Sequence, residues 1–487
     1  PYTAGETTPP AVKVAADQSA RKDFEGSDLI VAEEQTVSYG NPTLRFTHGT
    51  ARVTVVLTDY TEEQMFVRLT GLSTENGNPA QIIPYDKGND TYTALVAPQS
   101  VATGTAFITC KFTNGKVFVY KMKNDTDWQA GEEYTYTVSL AAAEDPGYTI
   151  EGDGSYTVTT ADGLKNVAKL VNEEGKTDIN ITLDTDLTLT GEWTPIGTYD
   201  NPYTGTFNGK DKTITGLTVT GSNEYAGLFG RIGSGGTVKN VVLKDVQIES
   251  DNQYGCVGGV AGNSNGDIEN CSVSGSVSSR CTAGGVVGWQ YSGSITLCGS
   301  SATVKGTGEV GGVAGKTDNR ATLTACYATG NVTFERASTI NTFAGGVVGF
   351  NGTGSILTAC YATGNVTGTG TGTGSCYVGG VTGDNASGTL TACYHATGTV
   401  SGPVEATGGV TGRNYNALGA PVITACYWGS NPNTGIGENQ AGTTDGTTKV
   451  TDGNWTEAMN AMNAALQSAG SEWRYELTGA LPTLKKQ

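Results

Sequence analysis

Histidine is almost absent from this sequence: only His48 and His395 occur in 487 residues, and they lie far apart in the chain. A zinc peptidase needs closely spaced histidines with a glutamate nearby, so this class of enzyme is not expected. Charge is scarce too, at 16% of residues, and 29 basic residues are outnumbered by 47 acidic ones. That balance argues against a nucleic-acid-binding protein, which needs clustered lysine and arginine.

Glycine is what the chain has in abundance, with 71 residues, while hydrophobic residues make up only 37%. Threonine, serine and asparagine fill the difference, which is a composition of turns and strands rather than helices. No apolar run reaches the roughly 18 residues that a membrane-spanning helix requires. The sequence therefore predicts an all-β protein, and its net charge of −18 favours solubility.

The first third of the chain has strand-like alternation of apolar and polar residues. Such runs, for example 51–57 and 106–110, recur over residues 23–145 and are bounded by turn residues. They predict an antiparallel β-sandwich. We expect residues 1–22, rich in proline and threonine, to be a flexible tether left after removal of a leader, and residues 141–147 to be a linker.

From residue 226 the sequence repeats itself. A Gly-Gly-Val-x-Gly block recurs at intervals of 26 to 34 residues, beginning at Gly258, Gly284, Gly311, Gly345, Gly379 and Gly408. A unit of this length has two or three short strands and cannot bury a face alone, whereas stacked copies can. Residues 226–430 are therefore predicted to form a parallel β-solenoid with one repeat per coil.

Two helix-like segments flank the repeats. Ala161–Asn172 lies in a lead-in region, residues 146–225, and Thr456–Ser468 lies in the closing region, residues 431–487. The ends of a solenoid expose unpaired strand edges, which promote aggregation. We therefore interpret the two regions as the N-terminal and C-terminal caps of the array.

Each block is followed by a cysteine at one repeat position, and four of these cysteines precede a tyrosine. Because side chains alternate along a strand, the cysteines should face the interior and the tyrosines the outside. Stacked parallel Cβ vectors suit disulfides poorly, so we expect buried free thiols, with Cys256 and Cys281 as the best candidate for a bonded pair. The predicted structural ladder is Cys271, Cys298, Cys326, Cys360, Cys393 and Cys426.

The tyrosines that follow form the candidate ligand-binding stripe: Tyr327, Tyr361, Tyr394 and Tyr427. An aromatic stripe across four coils can stack on sugars or on side chains of a partner. The alternative is a structural ladder, or packing under a loop. His395 is an extra residue in its repeat, which a β-bulge would explain.

Other matches to catalytic or metal-binding patterns are interpreted as structural. G-x-S-x-G at 262–266 and a near P-loop at 311–317 lie inside the glycine blocks, without the strand–turn–helix context that each needs. Acidic residues at 184–186 and 200–211 fit solvated turns better than a calcium site. No catalytic residue, cofactor or metal site is predicted.

The repeats resemble the GLUG motif, in which a GG(L/V)VG block precedes I-x-NCYATGNV. Here GGVVG stands at 345–349 and LTACYATGNV at 357–366, and the resemblance covers residues 150–487. Residues 23–140 resemble a fimbrillin-like domain, through LRFTH at 44–48 and WQAGEEYTY at 128–136. GLUG repeats occur in surface adhesins and immunoglobulin-cleaving metallopeptidases. Fimbrillin-like domains occur in lipid-anchored pilus and adhesion proteins of Gram-negative anaerobes.

Together these resemblances imply an exported protein of the cell surface or outer membrane, joined to the membrane only through an N-terminal lipid anchor outside this chain. The main hypothesis is a non-enzymatic adhesin, or fimbria-associated protein, whose solenoid binds a host glycan or protein. Two alternatives stay open. One is a structural pilus-associated or anchor subunit that contacts other pilus subunits only. The other is a glycan-active β-helix enzyme, a lyase or hydrolase, which a cluster of three or more acids on one outer face would favour.

Overall fold

A computed structural model describes residues 11–32, 38–40, 42–59, 65–112, 117–140, 146–336, 341–370, 374–403 and 406–487. The chain divides into two compact units, residues 1–152 and 153–487. Residues 141–145 of the predicted linker and residues 1–10 of the predicted tether lie outside the described chain. Among the helices described, none is long and apolar enough to cross a membrane.

The N-terminal unit is a β-sandwich. One sheet has the strand order Glu133–Ser139, Ala51–Thr58, Thr91–Val96, Tyr85–Gly88, and the other has the order Met65–Leu69, Ala106–Phe112, Val117–Lys121. Further strands are Ile30–Val31 paired with Thr47–His48, Gln99–Val101 paired with Thr126–Trp128, and Tyr148–Ile150. A short 3-10 helix spans Thr74–Asn76.

Alternation builds the core of this sandwich as predicted. In Ala51–Thr58 every second residue from Ala51 is buried, and these side chains join Phe107 and Trp128 in one cluster. Not every pairing in this unit is antiparallel, because Glu133–Ser139 runs parallel to Ala51–Thr58. The chain between these two strands passes through the rest of the sandwich, and such a long connection permits parallel pairing.

The predicted flexible tether is wrong over its second half. Residue Gln18 is fully buried, and its side-chain amide donates to the Leu95 carbonyl at 2.8 Å and accepts from the Leu95 amide at 2.9 Å. The Ile83 amide donates to the Ala16 carbonyl, and helix α1 follows at Arg21–Gly26. A glutamine amide satisfies both groups of a buried backbone unit, which fixes this segment on the sandwich.

The C-terminal unit is a parallel β-solenoid, which confirms the predicted fold. In one coil the chain passes from Thr322–Thr324 to Tyr327–Ala328 and Val332–Arg336, then to Thr342–Gly345 and Val348–Asn351. Strands at the same stage of successive coils pair in parallel. The result is four ladders, called ladder 1 to ladder 4 in chain order, in which neighbouring strands lie roughly 4.8 Å apart.

Two ladders form the first half of each coil. The strands of ladder 1 are Tyr156–Val158, Ile181–Leu183, Thr206–Asn208, Thr237–Lys239, Asp267–Glu269, Ser294–Thr296, Thr322–Thr324, Ile356–Thr358, Thr389–Thr391 and Val422–Thr424. The strands of ladder 2 are Leu187–Thr188, Thr213–Thr215, Thr218–Val219, Val242–Ser250, Ser272–Ser279, Gly299–Ser300, Thr303–Gly306, Tyr327–Ala328, Val332–Arg336, Tyr361–Ala362, Val366–Gly370, Tyr394–His395, Val400–Ser401, Cys426–Trp428 and Thr447–Lys449.

Two ladders form the second half. The strands of ladder 3 are Tyr225–Ala226, Cys256–Gly258, Thr282–Gly284, Glu309–Gly311, Thr342–Gly345, Cys376–Gly379 and Thr407–Gly408. The strands of ladder 4 are Phe229–Ile232, Ala261–Ser264, Val287–Gln290, Ala314–Thr317, Val348–Asn351, Thr382–Ala386, Thr411–Tyr415 and Ile436–Asn439.

The glycine block exists because two backbone segments meet there. A Cβ added at Gly346 would lie 2.7 Å from the Ala362 Cβ and 2.1 Å from the Gly380 carbonyl oxygen. A Cβ at Gly349 would lie 2.5 Å from the amide nitrogen of Val310 on ladder 3. No larger residue fits at either position without moving backbone. The spacing of the repeat thus records where ladders 2, 3 and 4 pack against each other.

The six cysteines of the predicted ladder stack inside the coil, each at most 2% exposed. Their thiols donate to backbone carbonyls; Cys326 Sγ, for example, lies 3.3 Å from the Ile295 carbonyl oxygen. All ten cysteines are free thiols, including Cys256 and Cys281. Burial raises the pKa of the Cys256 thiol to about 12, so it stays protonated and unreactive at neutral pH.

Two longer helices occupy the predicted bounds. Helix α2 spans Ala161–Asn172 and is capped at its N-terminus by Thr160, whose hydroxyl accepts from the Gly163 amide. The helix buries Leu164 and Val167. Helix α3, Thr456–Ser468, buries Ala458, Met462 and Leu466. An antiparallel hairpin of Trp473–Leu477 and Pro482–Lys486 follows α3.

Candidate functional site

The four predicted tyrosines lie in register on ladder 2, on the side opposite the buried alanines. The rings of Tyr327 and Tyr361 stack at 5.5 Å, and those of Tyr361 and Tyr394 stack at 4.9 Å and 2°. The side chains therefore do leave the interior, as the alternation predicts. They do not form an open stripe, because Tyr394 is fully buried and Tyr327, Tyr361 and Tyr427 are only partly exposed.

The C-terminal segment covers this stripe. Trp455, before α3, packs at 5.0 Å from the Tyr394 ring, and Tyr475 of the hairpin packs at 5.6 Å. The Tyr394 hydroxyl donates to the Pro482 carbonyl, and the Tyr475 hydroxyl donates to the Ala392 carbonyl. The sequence predicts a helix that closes the end of the array, but α3 lies along its side. The tyrosines thus form the surface against which this C-terminal segment packs. Residues 450–487 are called the lateral cap below.

The residue before each ladder cysteine differs in type between coils that the lateral cap covers and the uncovered coil of Asn270. This position adopts a left-handed backbone in successive coils, with φ of 50° at Asn270 and 56° at Ala359. Asparagine suits that conformation better than alanine does. Asn270 donates to the Asn240 side chain at 2.9 Å outside the cap, whereas Ala359 is buried in the cluster beneath α3. An asparagine at Ala359 would place a polar amide among the apolar side chains of that cluster, which alanine avoids.

His395 occupies the alanine position of ladder 2, paired with Ala362 on one side and Trp428 on the other. It is fully buried, and its Nε2 lies 2.9 Å from the Gly364 carbonyl oxygen. Burial lowers the pKa of His395 to about 4, against the opposing effect of that carbonyl. The extra residue of this repeat is accommodated after His395, before Val400 pairs with Val366.

A second outer surface lies on ladder 4, and sequence reasoning missed it. One residue per strand forms an in-register row, called the ladder 4 row: Arg231, Asn263, Trp289, Lys316, Phe350, Asp384, Arg413 and Glu438. The adjacent residues Gln290, Asn351 and Asn385 are fully buried, so the row occupies the outer side of the strands. Neighbouring members differ in type from strand to strand, and no repeated motif marks the row in the sequence.

Cations alternate with aromatic rings along the middle of this row. The Lys316 ammonium lies 4.7 Å from the Trp289 ring centroid and 5.3 Å from that of Phe350. Its carboxylate neighbour is Asp318, at 3.9 Å. The Trp289 ring in turn contacts Tyr291 edge to face, at 5.5 Å. Cation–π contacts of this kind hold a lysine in place at a partly exposed site.

Arg413 and Asp384 form an ion pair at the next stage of the row. The guanidinium lies over three rings, 5.2 Å from Phe343, 4.6 Å from Tyr377 and 4.7 Å from Tyr415. Burial raises the pKa of the Asp384 carboxyl, and the hydrogen bond from Arg413 opposes this shift. Phe343 and Tyr377 are buried, whereas Tyr415 is 38% exposed.

The row also has open aromatic side chains. The solenoid unit has four exposed tyrosines in its described part: Tyr199, Tyr254, Tyr291 and Tyr415. Three of them flank the ladder 4 row, since Arg231 lies 4.8 Å from the Tyr199 ring and Tyr291 and Tyr415 contact Trp289 and Arg413. Exposed tyrosines beside hydrogen-bonding cations are the composition of a recognition surface. No group of three His, Cys, Asp or Glu side chains that could hold a metal ion occurs in the described chain.

Comparisons with known proteins agree with the two-unit architecture. Residues 1–162 match the fimbrillin-like family model, and residues 253–278 match the GLUG motif model. The chain thus carries a fimbrillin-like domain at its N-terminus and GLUG repeats in its solenoid, as the sequence resemblance implied. The fimbrillin-like match over residues 1–162 supports a surface- or pilus-associated protein.

Individual similar proteins are more distant. Halomucin of Haloquadratum walsbyi is 42% identical over 91 residues, which are 18% of this chain and 1% of halomucin. A crystal structure of a candidate immunoglobulin A1 protease from Bacteroides ovatus is 18% identical, covering 70% of this chain and 95% of that one, with a TM-score of 0.46. A fimbrial protein from Bacteroides ovatus is 18% identical, covering 30% of this chain and 33% of that one, with a TM-score of 0.18.

Proposed function

We propose that this protein is an exported, non-enzymatic adhesin of a Gram-negative outer surface, and that the ladder 4 row is its binding face. The observation that carries the proposal is the placement of exposed tyrosines along the ladder 4 row. Tyr199 and Tyr415 contact Arg231 and Arg413. Tyr291 contacts Trp289, the ring that Lys316 covers. The fimbrillin-like domain would link the solenoid to a pilus or space it from the membrane.

The row supports this role better than the predicted tyrosine stripe does. A ligand must reach a side chain to bind it, and Tyr394 is sealed by Trp455 and Tyr475. Tyr199 and Tyr291 are 66% and 40% exposed. Tyrosine supplies a large apolar face and a polar hydroxyl at low entropic cost, which is why it dominates recognition surfaces.

Binding of the labelled full chain to an array of glycans, mucins and matrix proteins tests the proposal. We expect a saturable interaction that weakens at least tenfold when Tyr199, Tyr291 and Tyr415 are all replaced by alanine. Tyr254→Ala is the matched control, because Tyr254 is 72% exposed and makes no ring contact with the row. An array without any specific binding would overturn the adhesin proposal.

A structural pilus-associated subunit without a host ligand is the second candidate, favoured by the fimbrillin-like match over residues 1–162. Under this alternative the protein would polymerise or bind pilus subunits, and the alanine triple variant would do so equally well. Sedimentation velocity of the full chain with purified fimbrial subunits distinguishes the two candidates.

A glycan-active enzyme is the third candidate, and the ladder 4 row contains the acids that it would use. Asp384 and Glu438 lie on the same row, two strands apart, with Arg413 between them. Because Arg413 already binds the Asp384 carboxylate, we propose that the two acids do not act as a hydrolytic pair. Incubation with polysaccharides should release no new reducing ends; release that Asp384→Asn abolishes would contradict this.

A further inference from the structure

We propose that Asp384, Arg413 and Tyr415 form a subsite for an uncharged sugar with two adjacent hydroxyl groups. This inference rests on the proposed adhesin function, since it names the ligand class of the ladder 4 row. It concerns one end of the row, where the ion pair lies beside an exposed ring.

Unpartnered polar atoms are concentrated on ladder 4. In the described chain eight buried side-chain nitrogen or oxygen atoms lack a hydrogen-bond partner, and five of them lie on ladder 4. Three of these five belong to the ladder 4 row: Trp289 Nε1, Asp384 Oδ1 and Arg413 Nε. A buried polar atom without a partner is costly and calls for a water, an ion or a ligand. Two of the three belong to the ion pair.

The geometry of the ion pair leaves one donor and one acceptor free. Asp384 Oδ2 binds Arg413 Nη2, so Asp384 Oδ1 remains as an acceptor and Arg413 Nε remains as a donor. Two adjacent hydroxyl groups match this pair, because one hydroxyl donates to the carboxylate while its neighbour accepts from the guanidinium. Asp384 itself is fully buried, so the proposal requires the exposed Tyr415 side chain to move aside before a sugar hydroxyl can reach this acceptor.

The charges around the subsite favour an uncharged ligand. The ion pair is neutral as a whole, and Lys316 further along the row has Asp318 at 3.9 Å. Glu438, in register with Arg413, adds one carboxylate. A polyanion therefore gains no net Coulomb attraction from this surface. Recognition must then come from hydrogen bonds and from ring contact.

In this proposal Tyr415 provides both the aromatic contact with the sugar and the route by which the sugar reaches the ion pair. Of the three rings around the Arg413 guanidinium, Phe343 and Tyr377 are 6% and 4% exposed, so only Tyr415 faces solvent. In the proposed complex this side chain turns aside to admit the sugar, and its face stacks on the apolar face of a pyranose ring. The two buried rings hold the guanidinium from beneath.

An extended peptide does not fit the same surface. Peptides that bind sheets usually add a strand to a free edge. The strand that carries Arg413 is paired on both sides, with Thr382–Ala386 and with Ile436–Asn439. No strand edge is therefore free at the subsite, and a glycan is the class of ligand that the surface fits.

Calorimetric titration of the full chain tests the proposal, with neutral oligosaccharides ending in mannose, galactose or N-acetylglucosamine and with sialylated and sulfated counterparts. We expect saturable binding of at least one neutral oligosaccharide, unchanged between 0.05 and 0.5 M salt as for other uncharged ligands. Tyr415→Ala and Arg413→Lys should each weaken it at least tenfold, since lysine keeps the charge but has no Nε donor. Tyr254→Ala should bind like the wild type.

Several outcomes overturn the proposal. These are binding of acidic glycans or peptides only, binding unaffected by Tyr415→Ala, or a crystal structure in which a water joins Asp384 Oδ1 and Arg413 Nε and stays there at saturating saccharide. If Arg413→Lys fails to fold, as thermal unfolding would show, Tyr415→Ala decides alone because its side chain is exposed. A protein ligand lost in the triple alanine variant would sink this inference and leave the adhesin function standing; a blank array would sink both.

Discussion

The two aromatic surfaces of the solenoid look similar in composition and differ in what covers them. On ladder 2 the rings of Tyr327, Tyr361 and Tyr394 stack in register and end beneath the lateral cap. On ladder 4, Tyr291 and Tyr415 stay at least a third exposed beside charged partners. The first surface is covered within the fold, whereas the second has exposed rings and is the proposed binding face.

This difference shows that regular repetition is a structural signature here, and irregularity marks the candidate site. A repeated residue stacks on copies of itself, so selection for packing keeps it constant from coil to coil. The ladder 4 row changes at every strand, from tryptophan to lysine to phenylalanine to aspartate. The residue type at a ligand-binding position depends on the ligand, whereas the type at a stacking position depends on the same position in the neighbouring coil.

The largest difference in stability between the two surfaces is expected when one tryptophan that packs at each of them is replaced by alanine. Trp455 belongs to the lateral cap, packs on the Tyr394 ring and is 4% exposed, so Trp455→Ala should lower the free energy of unfolding by about 3–5 kcal/mol. Trp289 is only partly buried, and Trp289→Ala should cost about 1–2 kcal/mol. Urea unfolding followed by far-ultraviolet circular dichroism measures both. Equal costs would mean that the lateral cap contributes little to stability.

Acid should weaken the interior beneath the capped surface. Folding lowers the pKa of His395 from 6.5 to about 4, so the unfolded chain binds a proton that the folded chain does not between these values. Stability from this group is complete above pH 6.5 and is lost as pH falls towards 4, by up to about 3 kcal/mol.

His395→Ala is the control for that measurement, because Ala362 occupies the same position one coil earlier. Thermal unfolding from pH 7 to pH 4 should show a shallower loss in the variant. Identical profiles would contradict the buried neutral histidine.

Substitutions at the left-handed residue before the ladder cysteine should have different effects on stability in coils that the lateral cap covers and in coils that it does not cover. Ala359→Asn gains backbone preference but buries an amide under α3, and a net loss of about 1–2 kcal/mol is expected. Asn270→Ala, its mirror variant in an uncovered coil, loses the 2.9 Å bond to Asn240 and should also destabilise, by about 1 kcal/mol. Urea unfolding of both variants measures the pair, and stabilisation by Ala359→Asn would show that the cap does not cover this position.

The smallest effect is expected for the stability of the open surface. Tyr415→Ala removes a side chain that is 38% exposed, and the free energy of unfolding should change by no more than about 0.5 kcal/mol. Differential scanning calorimetry against the wild type measures it. A loss near that of Trp455→Ala would make Tyr415 a structural residue and would weaken its assignment to a binding face.

Sequence reasoning found the solenoid because the glycine block reports a backbone contact, such as Gly346 against Ala362, that recurs in every coil. It placed Cys326 inside and Tyr327 outside from alternation alone. It did not foresee the lateral cap, since contacts such as Tyr475 with Ala392 join residues 83 positions apart. The alanines at 325, 359 and 392, where asparagine stands in Asn270, are the one local signal of that cover.

Sequence analysis did not identify the ladder 4 row for a different reason. Arg413 and Phe343 lie on different ladders and different coils, and only the fold brings them to 5.2 Å. Asp384 looks like an ordinary acid in the sequence, and only the register of ladder 4 pairs it with Arg413. The tether prediction failed in the same way, because Gln18 finds its partner at Leu95.

Tyrosine nitration of the native full chain, mapped by mass spectrometry, tests most directly that one aromatic surface is sealed and the other open. Tyr254, 72% exposed, serves as the internal reference for a free side chain. The account predicts that Tyr199, Tyr291 and Tyr415 are modified at rates near that reference, while Tyr361 and Tyr394 react only after unfolding. Nitration of Tyr394 as fast as Tyr415 in the folded protein would contradict it.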